Sequence, residues 1–140
     1  MTYALAWPLQ EALYSLFTTD AACVVAFDGR VHDGPPPLTN AEAEGAYLVL
    51  GDEEARDWST KTDDGAVHLV RVDVHVPRRG FGEAKRAAAA VSDAMLTGPI
   101  SPARGHVVNA RFVDARTERE ENDALRRIRL QFRITLEDTQ

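Results

Sequence analysis

The chain has 140 residues, of which 44% are hydrophobic and 27% charged, with a formal net charge of -6. That length is one domain's worth, residues 1–140, and long enough to bury a core without a disulfide staple. The acidic balance argues against a general nucleic-acid binder, whose affinity comes from a basic surface neutralising phosphates.

In chain order, Leu9, Ala12, Leu13, Leu16 and Phe17 recur at helical spacing, with Pro8 near the first turn, where its missing N–H costs nothing. Thr18, Thr19 and Asp20 end that helix. The run Ala22 to Phe27 is short, apolar and β-branched, which predicts a strand closed by an Asp28-Gly29 turn. Cys23 lies within it as the lone cysteine, excluding an intramolecular disulfide and pointing to a buried thiol. Arg30 to Gly45 carries Pro35, Pro36 and Pro37 and reads as an extended loop. Ala46 to Leu50 predicts another short strand, closed by Gly51 and Asp52. In the polar stretch that follows, Trp58 is expected to tuck beneath a sheet edge.

The centre of the chain changes period. Val70, Val72, Val74 and Val76 alternate with Arg71, Asp73 and His75, the pattern of a strand buried on one face. After the Arg78-Arg79-Gly80 turn, Phe81, Ala84, Ala88, Val91 and Met95 recur as one helical stripe. A strand starts near His106, with Val108, Ala110 and Phe112 on one face, and runs to an acidic hairpin around Glu120 to Asp123. In the last strand Ile128, Leu130, Phe132, Ile134 and Leu136 face inward, with Arg127, Arg129 and Arg133 outward. These elements predict an α+β fold: a mainly antiparallel sheet of about five or six strands with two helices packed on one face.

Chemistry is sparse. His32, His68, His75 and His106 are scattered, with no helical i, i+4 pair and no cysteine partner, so no metal site is expected. No catalytic residue or cofactor-binding residue is assigned, because no nucleophile, base and orienting group recur together. Gly80-Phe81-Gly82 at a helix start resembles a phosphate turn, but it lacks a third glycine and a GK[ST] ending, and Glu83 puts a negative charge where the anion belongs. Carboxylates at Asp52, Glu53, Glu54 and Asp57 read as solvated turn residues or as one half of an interface. The arginine row could meet nucleic acid or a partner subunit, while Glu118, Glu120 and Glu121 are near enough to neutralise part of it. The N-terminus has no basic n-region, and no apolar run approaches the roughly 20 residues of a membrane span, so a soluble cytoplasmic product without a signal peptide or membrane contact is expected.

The ordered set LQEALYSLFTTD, AYLVLGDEEARDWSTKTDDG, AVHLVRVDVHVPRRG, GEAKRAAAAVSDAML and RFVDARTEREENDALRRIRLQFRITLED resembles the tail terminator (tail completion) proteins of long-tailed phages and phage-derived gene transfer agents. The resemblance covers nearly the whole chain, and its most specific pieces are YLVLG, DWSTK and the strand-to-helix unit ending in DAM. It implies a structural, non-enzymatic protein that forms a six-fold ring on the tail tube, stops tube growth and joins the tail to the head connector, with DNA passing through the channel. The implied partners are other copies of the chain, the major tail tube protein and a connector or stopper protein. Expected interface residues are Arg127, Arg129 and Arg133 on one patch, and Asp52, Glu53, Asp57, Trp58 and Lys61 on its complement, with Arg78 and Arg79 at the turn. The loop from Val31 to Asn40 and the hairpin at Glu120 to Asp123 are expected contacts along the ring axis. A neck or stopper protein one ring nearer the head, and a small phosphate-ligand enzyme or sensor, stay open as alternatives.

Overall fold

The computed structural model describes residues 3–34, 45–77, 81–119 and 125–138. Helix α1 (Ala6–Thr19) buries Leu9, Leu13, Leu16 and Phe17, the stripe its spacing predicts. Asp20 then does two jobs: its N–H donates to the Leu16 carbonyl, closing α1, and its carboxylate accepts the Cys23 N–H at 3.2 Å, capping α2 (Ala21–Phe27). The strand expected over Ala22 to Phe27 is therefore a helix. Cys23 and Phe27 are buried at i, i+4 spacing, whereas Val25, which strand alternation would place beside them, is 86% exposed. Asp28 at φ 49° and Gly29 at φ 81° end it in the left-handed region, a helix C-terminus rather than a hairpin turn.

Strands β1 (Val31–His32), β2 (Tyr47–Asp57), β3 (Gly65–Pro77), β4 (His106–Arg119) and β5 (Leu125–Glu137) form one sheet in the order β1-β2-β3-β5-β4. Only the β1–β2 pair is parallel, so the sheet is mainly antiparallel, as the alternating patterns predict. The fold is α+β, with α3 (Phe81–Thr97) joining α1 and α2 as a third helix where two were expected. Val70, Val72, Val74 and Val76 of β3 pair in register with Phe132, Leu130, Ile128 and Arg126 of β5, and the aliphatic partners face the helices. Ala84, Ala87, Ala88, Val91, Ala94 and Met95 of α3 close over them. Small alanines on that face let the helix lie close to the sheet.

Strand β2 does not stop at Gly51. The register shifts between Leu50 and Glu53, so Gly51 and Asp52 stand against Arg71 alone, a bulge after which the ladder continues to Asp57. Glycine suits the close approach there: a Cβ on Gly51 would lie 3.0 Å from the Arg71 carbonyl oxygen, so the neighbouring strand would have to give slightly. Strand β4 carries two register shifts, between Val107 and Asn109 and between Phe112 and Asp114. They overturn the expected alternation at its start, since Val107 packs against the core and Val108 turns to solvent.

Candidate functional site

The face of β2, β3, β5 and β4 turned away from the helices holds the predicted arginines Arg127, Arg129 and Arg133, with Asp52 at the β2 bulge beside it. Its arginines are placed by strand register and differ sharply in what they touch. Arg127 donates to Glu118 across the β4–β5 ladder at 2.6 Å. That bond is the main reason the Glu118 carboxyl is held below its ordinary range. Arg129 grips Asp73 of β3 with both Nε, at 2.9 Å, and a terminal nitrogen, at 3.3 Å. Asp73 in turn stabilises the charged guanidinium, with smaller contributions from Glu118 and Asp52. Arg133 is exposed and forms no ion pair among the described residues. It lies opposite Arg111, as Arg129 lies opposite Arg116, so like charges face each other across the ladder.

The acidic complement is split by the β2 bulge. Asp52 sits in the bulge and acts electrostatically on Arg129 of the same chain. Glu53 is turned to the other face, where its carboxylate meets Nδ1 of the fully buried His68 at 2.7 Å. Asp57 accepts the Ser59 hydroxyl at 2.6 Å, the main cause of its lowered pKa. Trp58 is not tucked away as expected: its backbone N–H donates to Gly65 at 3.0 Å, but its side chain is 38% exposed. A Cβ on Gly65 would fall 2.8 Å from that indole, so the ring lies along the strand start instead of under it. Lys61 is exposed at the following bend. Arg78 and Arg79 lie outside the described residues, as do most of the proline loop and the hairpin tip at 120–124.

Sequence patterning passed over the edges. Strand β4 borders the sheet with a side that has no strand neighbour among the described residues, and it exposes Val108, Phe112 and Val113. At the other border β1 covers only Leu48 and Val49, leaving β2 from Leu50 to Asp57 without an outer neighbour among the described residues. Arg111 and Arg116 on β4 make no ion pair among the described residues either. Their signal was present in the sequence as a second row of arginines, hidden by the bulges that break its period.

Among the described residues no group of three or more His, Cys, Asp or Glu side chains is arranged to hold a metal ion, and no helix is long and apolar enough to cross a membrane. Cys23 is fully buried, and burial with Asp20 nearby pushes its pKa up to about 12. At the Gly80-Phe81-Gly82 turn, Gly80 lies outside the described residues, and Glu83 stands in the first turn of α3. A groove of about 530 Å³ between α2 and α3 is lined by Ala22, Val25, Ala87 and Ala90, with Glu83 and Arg86.

The family model for tail completion protein gp17 matches residues 11–137. The chain belongs to that family. It is also similar to a chain in the solved structure of the virion of a native gene transfer agent (GTA) particle, at 40% identity and a TM-score of 0.86. That match covers 97% of this chain and 99% of the other. Among curated proteins none matches. A family of tail completion proteins is structural.

Proposed function

We propose that the chain ends the tail tube of a phage or gene transfer agent as a homohexameric ring and joins the completed tail to the head connector. The observation that carries this reading is the likeness, over almost its whole length, to a chain of a gene transfer agent virion. The ring form is supported by the two free edges. Strands β2, β3, β5 and β4 alternate in direction, so β4 of one subunit runs antiparallel to β2 of a neighbour placed edge to edge in a continued sheet. Two different edges of one subunit make a heterologous contact, and such a contact closes into a ring when the rotation per subunit permits.

This arrangement brings charged groups together in the right sense. Asp52 and Glu54 on the free half of β2 face Arg111 and Arg116 on β4 of the neighbour, with Arg133 alongside on β5, while Asp57 lies on the helix side of the sheet. Trp58 and Lys61 lie just beyond the end of that β2 edge. Arg127 and Arg129 are held by Glu118 and Asp73 within their own subunit and shape the face. The ring acts without chemistry on its partners, the tube protein below and the connector or stopper above. A subunit of net charge -6 suits a channel that releases DNA without holding its phosphates. Assembly takes place in the cytoplasm, before the ring becomes part of the tail.

Electron microscopy of particles made without this gene tests the reading. Overlong tails unattached to filled heads are expected. Normal-length tails left detached would move the protein one ring toward the head, and intact, transfer-competent particles would overturn the assembly role and bring the phosphate turn forward.

A further inference from the structure

The outer face of α1 is aromatic. Trp7, Glu11 and Tyr14 stand at i, i+4 and i+7, and Tyr3 occupies the turn that opens the helix, its carbonyl accepting the Ala6 N–H at 3.1 Å. Tyr3, Trp7 and Tyr14 are 68%, 63% and 47% exposed. The opposite face of the same helix already fills the core with Leu9, Leu13, Leu16 and Phe17, so this second stripe lies outside the core. Single exposed hydrophobics are ordinary, but two aromatics on one helix face with a third at the turn that opens the helix are the composition of an interface centre. Charge says what kind of partner fits. Glu11, set between Trp7 and Tyr14, makes no ion pair among the described residues, and Tyr3 to Gly29 contains Glu11, Asp20 and Asp28 with no Lys, Arg or His.

We propose that the Tyr3-Trp7-Glu11-Tyr14 face docks an arginine-bearing surface of a different protein of the particle. A guanidinium stacks on an indole or phenol face and pairs with a carboxylate at once, which an ammonium does less well. A second copy is an outcome the test decides: Arg111, Arg116 and Arg133 lie on the β4 and β5 surface that the neighbour's acidic β2 edge takes in the ring, and Arg71, Lys85 and Arg86 also make no ion pair among the described residues. An anionic membrane surface is disfavoured by Glu11 and by the absence of cations on α1 and α2. The proposal rests on the joining role above and adds the surface through which it is performed.

Oxidative footprinting read by mass spectrometry tests it on the intact protein, since it resolves Tyr3, Trp7 and Tyr14 separately. The probes are tails and DNA-filled heads, each purified from particles made without this gene. The expected result is that the three residues are reactive in the free protein and its ring and become protected with one of the two probes. A Trp7→Ser/Tyr14→Ser variant should keep its circular dichroism and ring size yet bind that probe roughly thirtyfold more weakly, the loss typical of removing an aromatic anchor. Glu11→Arg should weaken it in the same direction. Co-sedimentation with a probe while Tyr3, Trp7 and Tyr14 stay reactive overturns the docking face and leaves the joining role standing. Protection by the chain's own ring alone assigns the face to copies and overturns the proposal. Failure to co-sediment with either probe removes the joining role and this surface with it.

Discussion

Replacing Arg129 with Met should destabilise the free subunit more than replacing Asp73 with Asn, although the two residues share one ion pair. The carboxylate of Asp73 is only 11% exposed, while the Arg129 side chain is 38% exposed. The Asp73 carboxylate makes no other hydrogen bond among the described residues. Arg129→Met therefore strands a nearly buried charge, at a cost of about 2–3 kcal/mol, somewhat below the 3–5 kcal/mol seen when fully buried pairs are broken. Asp73→Asn leaves a guanidinium that can turn to water, so about 1 kcal/mol is expected, nearer the value of an exposed pair. A 140-residue chain unfolds with an entropy of about 0.3 kcal/mol/K, so each kcal/mol moves the Tm by about 3 °C. Urea and thermal unfolding of both single variants and the double variant at pH 7 supply the comparison. Equal losses, or a loss under about 0.5 kcal/mol for Arg129→Met, would refute the reasoning by showing that Asp73 reaches water without its partner. The outcome also bears on the ring: if Arg129 is structural, Arg133→Glu is the substitution that weakens assembly without unfolding the subunit.

Phe132→Ala, at a fully buried site edge-on to Phe112 at 6.0 Å, should cost about 3–5 kcal/mol, a fall in Tm of about 10–15 °C by calorimetry. Cys23 should resist a thiol reagent at pH 8 in the folded protein and react with one equivalent after unfolding, because burial pushes its pKa up to about 12. Rapid labelling of the native protein would contradict its placement. Glu118 and Asp138 are depressed by hydrogen bonds from Arg127 and Arg104. Each adds stability that is present above its unfolded pKa, ordinarily 4.5 and 3.8, and is lost as pH falls through the lower folded value. Tm measured from pH 7 to pH 2 should therefore drop below about pH 4, and Arg104→Met should flatten part of that drop; an unchanged acid limb in the variant would count against the Arg104–Asp138 pair.

Where burial is one-sided and the backbone regular, sequence period reported structure well. The valines of β3 and the Ile128 to Leu136 set of β5 face the helices as their alternation predicts, and the α1 and α3 stripes meet them. Failures cluster where local signals have two meanings. Ala-Ala-Cys-Val-Val-Ala-Phe is too short for period to separate helix from strand, and the β-branched pair tipped the reading; Asp20 and Asp28-Gly29, which punctuate a helix equally well, decided the outcome through capping bonds. Gly51-Asp52 looked like a strand end but is a bulge, because the ladder that resumes beyond it is a long-range pairing with β3. Of the site, the arginine row was legible and its pairing was not. Arg129 finds Asp73, 56 positions away in sequence, through strand order, which no local pattern encodes.

The bulges also bear on how two sheet edges without strand neighbours among the described residues are kept from pairing at random. A long, flat, apolar edge recruits any other strand, and proteins blunt such edges with bulges and charge. Both free borders here do so: β2 is interrupted at Gly51-Asp52, β4 at Val108 and Val113, and each carries charges of one prevailing sign near the break. On β2 acidic groups outnumber Arg56, and about the second β4 bulge Arg111 and Arg116 outnumber Asp114, which disfavours pairing of like edges relative to unlike ones. Self-pairing of β4 with β4 or β2 with β2 would give a closed two-fold dimer, which cannot cap a tube. Pairing β4 with β2 is the combination that charge favours, and in the proposed ring it would propagate a single rotation from subunit to subunit until closure. On the proposed reading, the same features that keep like edges apart select the contact that would build the ring.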